Sequence, residues 1–215
     1  MARERGSIIP LPASGFWCIV CSGIIIKRLE QAMEAVKSFE TLNEAWDQLD
    51  KSPRDEGRVE MIVRRPEADQ REEVQAARFT AARGLEGDDW LSRAKRKDPD
   101  SEPISETQVT LMNSRVIQLL TDEKSRWAES GDQLFVDLDI SMNNLPAGTQ
   151  LQIGEVILEI GVTPHTGCGK FARRFGASAR KWVMSDAGKN QRLRGVYARV
   201  IQDGLITVGD RIRKR

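Results

Sequence analysis

Residues 133–140, QLFVDLDI, put an apolar side chain at every second position: Leu134, Val136, Leu138 and Ile140, with Asp137 and Asp139 between them. That period of two is the signature of a strand with one face in a core. It sets the frame for the rest of the chain. RVEMIVRRP (58–66) alternates Val59, Met61 and Val63 inward and stops at Pro66, and LPAGTQLQIGEVILEIGV (145–162) reads as turn, strand, tight turn, strand. The ending, LRGVYARVIQDGLITVGDRIRKR (193–215), reads as two strands joined by a glycine-containing hairpin. Many short strands with frequent glycine turns and few helices predict a mainly β fold with attached helices (α+β), built as an antiparallel β-barrel.

The helices are fewer. Leu29, Met33, Val36, Leu42, Trp46 and Leu49 recur at three- and four-residue steps, which predicts an amphipathic helix ended by Pro53 and Gly57. REEVQAARFTAARG (71–84) reads as helical, with Gly84 as its C-terminal cap, and LSRAKRKDPDSEPISE (91–106) as a long surface loop. TQVTLMNSRVIQLL (107–120) gives a strand with an irregular continuation, and EKSRWAESGD a short helix or turn. KFARRFGASARKWVM (170–184) reads as one helix with Phe171, Phe175 and Trp182 on one side.

A net charge of +1 argues against nucleic acid or a membrane surface as a partner of the whole protein, so anion binding must come from local clusters. Three cysteines do not make a disulfide framework, which points to a reducing, cytoplasmic setting. The apolar run at 16–26, FWCIVCSGIII, is shorter than the about 20 residues a membrane span needs. Residues 1–28 are read either as an overlong start, with Met33 as the natural first residue, or as a loosely packed segment; a secretory signal ranks third. Cys18 and Cys21 in CIVC lack a second ligand pair and read as apolar fillers, and Asp88 and Asp89 in EGDDW as a polar turn.

The chemistry concentrates in VTPHTGCGKFARRFG (162–176). The only histidine, His165, stands three residues before Cys168, which Gly167 and Gly169 flank. A lone cysteine is usually a small buried hydrophobe. Here a glycine-flanked turn between strand and helix exposes the thiol near a helix start, with Lys170, Arg173 and Arg174 adding positive potential. Such surroundings lower a thiol pKa and suit a reactive thiolate or a soft-metal ligand. His165 is a candidate proton relay; the alternative is a satisfied surface imidazole, and for Arg173 and Arg174 a solvated helix face.

GLEGDDW (84–90), TLMNSR (110–115), GDQLFVDLDISMNNLPAGTQLQIGEVILEI (131–160), PHTGCGKF (164–171) and the closing LRGVYARVIQDGLITVGDRI occur in an order that resembles the MOSC domain family, closest to its stand-alone bacterial kind. The resemblance divides the chain into the apolar segment 1–28, a helix and linker 29–56, and a MOSC domain 57–213. It implies binding of the molybdenum cofactor, sulfur carriage as a persulfide on Cys168, or Cys168 as a molybdenum ligand. Catalytic candidates are then Cys168 and His165. Candidate cofactor-binding residues are Thr166, Gly167, Gly169, Lys170, Arg173 and Arg174 from the loop, Asn113 and Arg115 from TLMNSR, and Arg83, Arg192 and Arg194 from charge alone.

No lysine has a Schiff-base context, so pyridoxal phosphate is not expected in this chain. A cysteine desulfurase or an electron-transfer partner is implied, the latter if the protein is the molybdenum-bearing part of a reductase of N-hydroxylated compounds. A non-catalytic binding module is the alternative from another class, and a Cys-His hydrolase ranks last because no third group is evident. An oligomer is allowed, with the 29–49 helix as its interface.

Overall fold

The structure, a computed structural model, describes residues 37–97 and 104–215. The segment 1–28, Cys18, Cys21 and the first turns of the 29–49 helix lie outside the described residues. Within them the helix is α1, Phe39–Gln48, begun by Ser38, whose hydroxyl accepts the Thr41 N–H.

Seven strands close into a barrel. In spatial order they are β1 (Glu56–Arg64), β6 (Leu134–Asp137), β5 (Val109–Asn113), β9 (Val196–Gln202), β8 (Val156–Ile160), β7 (Gln150–Ile153) and β11 (Arg211–Lys214), and β11 returns to β1. All these neighbours run antiparallel except β5 and β6, which are parallel, with Met112 opposite Phe135. The expected all-antiparallel barrel is corrected at this one pair. A parallel pair needs a crossover; the irregular continuation of 107–120 supplies α3 (Ser114–Leu120), and the short helix or turn expected in EKSRWAESGD is a 3-10 helix at Lys124–Ser130. Asn113 starts α3 by accepting the N–H groups of Arg115 and Val116.

The barrel interior takes Val59, Ile62, Leu111, Leu134, Val136, Leu158 and Ile212, all fully buried. A second core lies outside the wall of β1, β5 and β6. There Met61, Val63, Met112 and Phe135 pack under Leu42 of α1, Ile117 of α3, and Phe171, Phe175 and Trp182. The expectation that Val59, Met61 and Val63 share a face is therefore wrong. The register of β1 against β6 slips between Val59 and Met61, and such a bulge passes the inward face from Val59 to Ile62.

Four further readings are corrected. Residues 71–84 form no helix but β2 (Glu72–Val74) and β3 (Ala76–Thr80), followed by a turn and β4 (Gly84–Leu85). Their alanines and glutamates favour helix locally, but β10 (Gly204–Thr207), distant in sequence, pairs with β3 and buries Phe79. Gly84, at φ +69, is the turn into β4. The chain end thus has three strands, with β10 paired to β3 rather than to β9. Residues 91–97, the start of the expected loop, belong to helix α2 (Trp90–Lys97), whose first N–H Asp88 Oδ1 accepts at 2.9 Å. The helix read at 170–184 is two, α4 (Gly169–Phe175) and α5 (Ala177–Val183), separated by Gly176 at φ +93; a short α6 (Asp186–Asn190) follows.

Candidate functional site

The loop between β8 and α4 carries Cys168 and is pinned along its length. Gly161 N–H donates to Tyr197 O (2.9 Å), Val162 N–H to Glu106 Oε2 (3.1 Å), and the Thr163 hydroxyl to Glu106 Oε1. Gly167 N–H points at Met184 Sδ (3.1 Å), and Arg180 Nε donates to Gly167 O (2.8 Å). Cys168 stands at the N-cap of α4 with its side chain exposed. Burial of its sulfur pushes the thiol up. The N–H groups of Phe171 and Lys170 and the charge of Arg194 outweigh that and hold it below the ordinary thiol range.

The thiol opens into a cleft of about 730 Å³. Among the described residues, six cationic side chains line it, Arg65, Arg71, Arg93, Lys170, Arg174 and Arg194, against three acidic ones, Glu67, Asp69 and Asp89. Burial and the neighbouring Arg65 charge depress both Arg71 and Arg93. Guanidinium groups crowded in this way lower their energy by gathering anionic charge. Arg71 Nε and Arg194 Nε are buried without a hydrogen-bond partner, and a buried unmet donor is a cost that a bound acceptor removes.

Arg194 is fixed by Asp132 Oδ2 (2.8 Å) and Ser130 O (3.0 Å), its guanidinium 4.9 Å from the Phe171 ring. Asp132 is fully buried; burial pushes its carboxyl up, but the Arg194 charge and hydrogen bonds from Ser130 and Arg194 hold it below the usual carboxylate range. Arg65 is clamped by Asp88 through two bonds of 2.8 Å and by Gly131 O at 2.7 Å. The polar turn of EGDDW is thus an arginine anchor as well as the start of α2. At the mouth, Asp69 bridges Lys170 (2.9 and 3.0 Å) and Arg174 (2.9 Å).

His165 lines the cleft, but it is not the surface imidazole of the alternative reading. Its side chain is 7% exposed, its ring lies 4.3 Å from that of Tyr197, and Nδ1 is 3.6 Å from Asp132 Oδ1. Burial first, and then the charge of Arg194, push its pKa down to about 3 against the pull of Asp132. It is a neutral imidazole at physiological pH, and no hydrogen bond joins it to Cys168 among the described residues.

Of the other sequence candidates, the structure brings Thr166, Lys170, Arg174 and Arg194 to the cleft beside Cys168. Gly167 and Gly169 shape the loop without lining it, and Arg173 is exposed on α4. Four lie elsewhere, three of them with local work. Asn113 is buried and donates to Ser52 Oγ (2.9 Å) and Leu138 O (2.7 Å). Arg115 grips Asp137 through bonds of 2.8 and 2.9 Å. Arg192, at φ +50, donates to Leu145 O at 2.5 Å, and Arg83 is exposed in the turn before β4. Sequence reasoning passed over Arg65, Arg71, Arg93, Asp132 and Tyr197. Arg65 ends a strand pattern and Arg93 sits in a stretch read as loop, so neither carried a local signal.

Comparison with known proteins gives a family-model match, the MOSC domain, over residues 104–213. Among solved structures, the YuaD protein from Bacillus subtilis matches at 14% identity and a TM-score of 0.52, covering 74% of this chain and 95% of that one. YiiM from Geobacillus stearothermophilus matches at 13% identity and a TM-score of 0.51, covering 74% of this chain and 75% of that one. These likenesses are ones of fold. No curated protein matches significantly.

Proposed function

Because this chain belongs to the MOSC domain family, we propose that its cleft binds the molybdenum cofactor, with Cys168 as the group that meets the cargo. One observation carries this reading: an exposed, thiolate-favouring cysteine opens into a cleft where two arginines, Arg71 and Arg194, hold buried, unpartnered Nε atoms. The donor set fits the cofactor's chemistry, since its phosphate needs guanidinium and ammonium partners and a soft metal centre or a sulfur atom needs a thiolate.

Arg65, Arg71, Arg93 and Arg194 would hold the anionic end, and Lys170 and Arg174 would follow once Asp69 gives way. Asp69 is 59% exposed, so its ion pairs are screened by solvent and exchange readily. Tyr197 keeps its hydroxyl proton, because burial and the nearby Asp132 raise its pKa, and can donate to a ligand oxygen. Phe171, tilted at 44° against Phe175 with ring centres 5.1 Å apart, lines the cleft. When bound, the cofactor supplies a metal centre able to exchange oxygen, sulfur or electrons.

A second reading is that Cys168 carries a sulfane sulfur delivered by a separate cysteine desulfurase. The exposure of the sulfur favours it, since a carrier must meet both donor and acceptor. Native mass spectrometry of protein purified anaerobically from cells that make the cofactor tests both. A pterin–molybdenum adduct lost in Cys168→Ala supports the first reading, and a single added sulfur lost in that variant supports the second. Unmodified masses in both proteins would leave a binding module in which the thiol is incidental.

A further inference from the structure

Two buried polar atoms lie close together at the cleft, one on His165, which lines it, and one on Asp132, which is fully buried. His165 Nδ1 and Asp132 Oδ1 have no hydrogen-bond partner and lie 3.6 Å apart. The other Asp132 oxygen is already used, accepting from the Ser130 hydroxyl and from Arg194, each at 2.8 Å. A carboxylate only accepts, and a neutral imidazole has one nitrogen that donates and one that accepts. Two lone pairs opposed at buried atoms would repel. A proton on Nδ1 instead gives a charge-assisted contact that a shift of a few tenths of an ångström closes.

With the proton on Nδ1, the lone pair is on Nε2. That atom is not among the buried unpartnered ones, and among the described residues no hydrogen bond reaches it, which leaves it accessible in a side chain that lines the cleft. The Tyr197 ring at 4.3 Å holds the imidazole plane. Gly195 permits its position, because a Cβ there would stand 3.2 Å from Nδ1. Arg194 and Arg65 act on the same ring, both disfavouring its charged form, while Asp132 favours it.

We infer that His165 is a dedicated hydrogen-bond acceptor set among the cleft arginines, its Nε2 lone pair fixed by Asp132 as a positioning residue, and that it selects protonated oxyanions such as phosphate over fully ionised ones. This rests on the cleft being the binding site proposed above. Guanidinium groups draw in any oxyanion. At His165 a phosphate bearing a proton donates to Nε2, whereas sulfate, with no proton at neutral pH, sets its own lone pairs against it.

The full-length protein tests this with inorganic phosphate and sulfate, titrated by calorimetry at matched ionic strength. Phosphate is expected to bind about tenfold more tightly than sulfate, the value of one hydrogen bond to a charged group. In His165→Gln, whose amide donates as well as accepts, the ratio falls to about one. A single histidine makes the second readout direct: nuclear magnetic resonance of isotope-labelled histidine should show Nδ1 protonated and Nε2 bare between about pH 5 and pH 8. Asp132→Asn should mix or reverse the tautomers.

A protonated Nε2 in the wild type, equal binding of the two anions, or binding of neither overturns the inference. Should Asp132→Asn fail to fold, the wild-type spectrum and His165→Gln still decide. Discrimination between the anions in a protein that purifies without cofactor upholds this inference and removes the cofactor reading. An adduct without discrimination does the reverse.

Discussion

Arg64 and Arg65 are neighbours, each bonded to a carboxylate, and only burial separates them. Arg64 meets Glu72 at 2.6 Å with the two side chains 39% and 47% exposed; Arg65 meets Asp88 at 2.8 Å with exposures of 5% and 0%. Replacing Arg65 by alanine removes three hydrogen bonds, two to Asp88 and one to Gly131 O, and strands a buried carboxylate. Asp88 keeps two backbone N–H donors, from Arg65 (3.1 Å) and Trp90 (2.9 Å). Breaking a buried pair costs about 3–5 kcal/mol, and the surviving donors place this one near the lower end.

At about 2–4 °C per kcal/mol for a chain of this size, Arg65→Ala should lower Tm by about 6–12 °C. Arg64→Ala removes an exposed pair worth about 1 kcal/mol or less and should lower it by no more than about 4 °C. Adding Asp88→Asn to Arg65→Ala should recover part of the loss, since no buried charge then remains. Calorimetric melting of the four proteins checks this. Equal melting of the two single variants, or a double variant that melts below Arg65→Ala, would show that burial of the carboxylate is not what sets the cost.

Three further outcomes follow from the site and the barrel. Alkylation of Cys168, followed peptide by peptide by mass spectrometry across pH, should have its midpoint below that of a free thiol, because the α4 N–H groups and Arg194 favour the thiolate; Arg194→Gln should move the midpoint upward. His165 has a folded pKa of about 3 against an ordinary 6.5. Between those values the unfolded chain holds a proton that the folded one does not, so stability should fall as pH drops below 6.5, and the Tm–pH curve of His165→Gln should be flatter there. Gly195→Ala places a Cβ 2.4 Å from Leu111 O at φ +102; it should destabilise the protein by about 2 kcal/mol or more and disturb His165, read as a lower Tm with an altered imidazole resonance.

The strands with clean alternation were legible from sequence. Residues 134–140 announce their face, and Leu134, Val136 and Leu138 are fully buried in the barrel. So was the loop around Cys168, since glycines and proline act locally and need no distant partner to shape a turn. What failed had a common cause. Residues 71–84 follow helical propensity until β10 offers β3 a ladder, and Val59, Met61 and Val63 alternate until a bulge hands the inward face to Ile62. Neither partner is near in sequence.

The candidate site divides in the same way. Cys168, His165, Lys170 and Arg174 could be chosen from residue type and spacing, and Arg194 from charge alone, because the chemistry of a thiolate or a guanidinium is written in the side chain. Which charges meet was not. Asn113, Arg115 and Arg192 are as polar as the cleft residues but satisfy backbone carbonyls and Asp137 elsewhere. Arg65, Arg71 and Arg93 enter only because β1, the turn before β2 and α2 converge on one rim. Sequence by itself determined which groups can ionise and which segments alternate, both properties of single residues and their neighbours. Tertiary structure alone decided that Asp132, buried against Arg194, would face a neutral His165, because burial and charge–charge distances exist only once the chain has closed on itself.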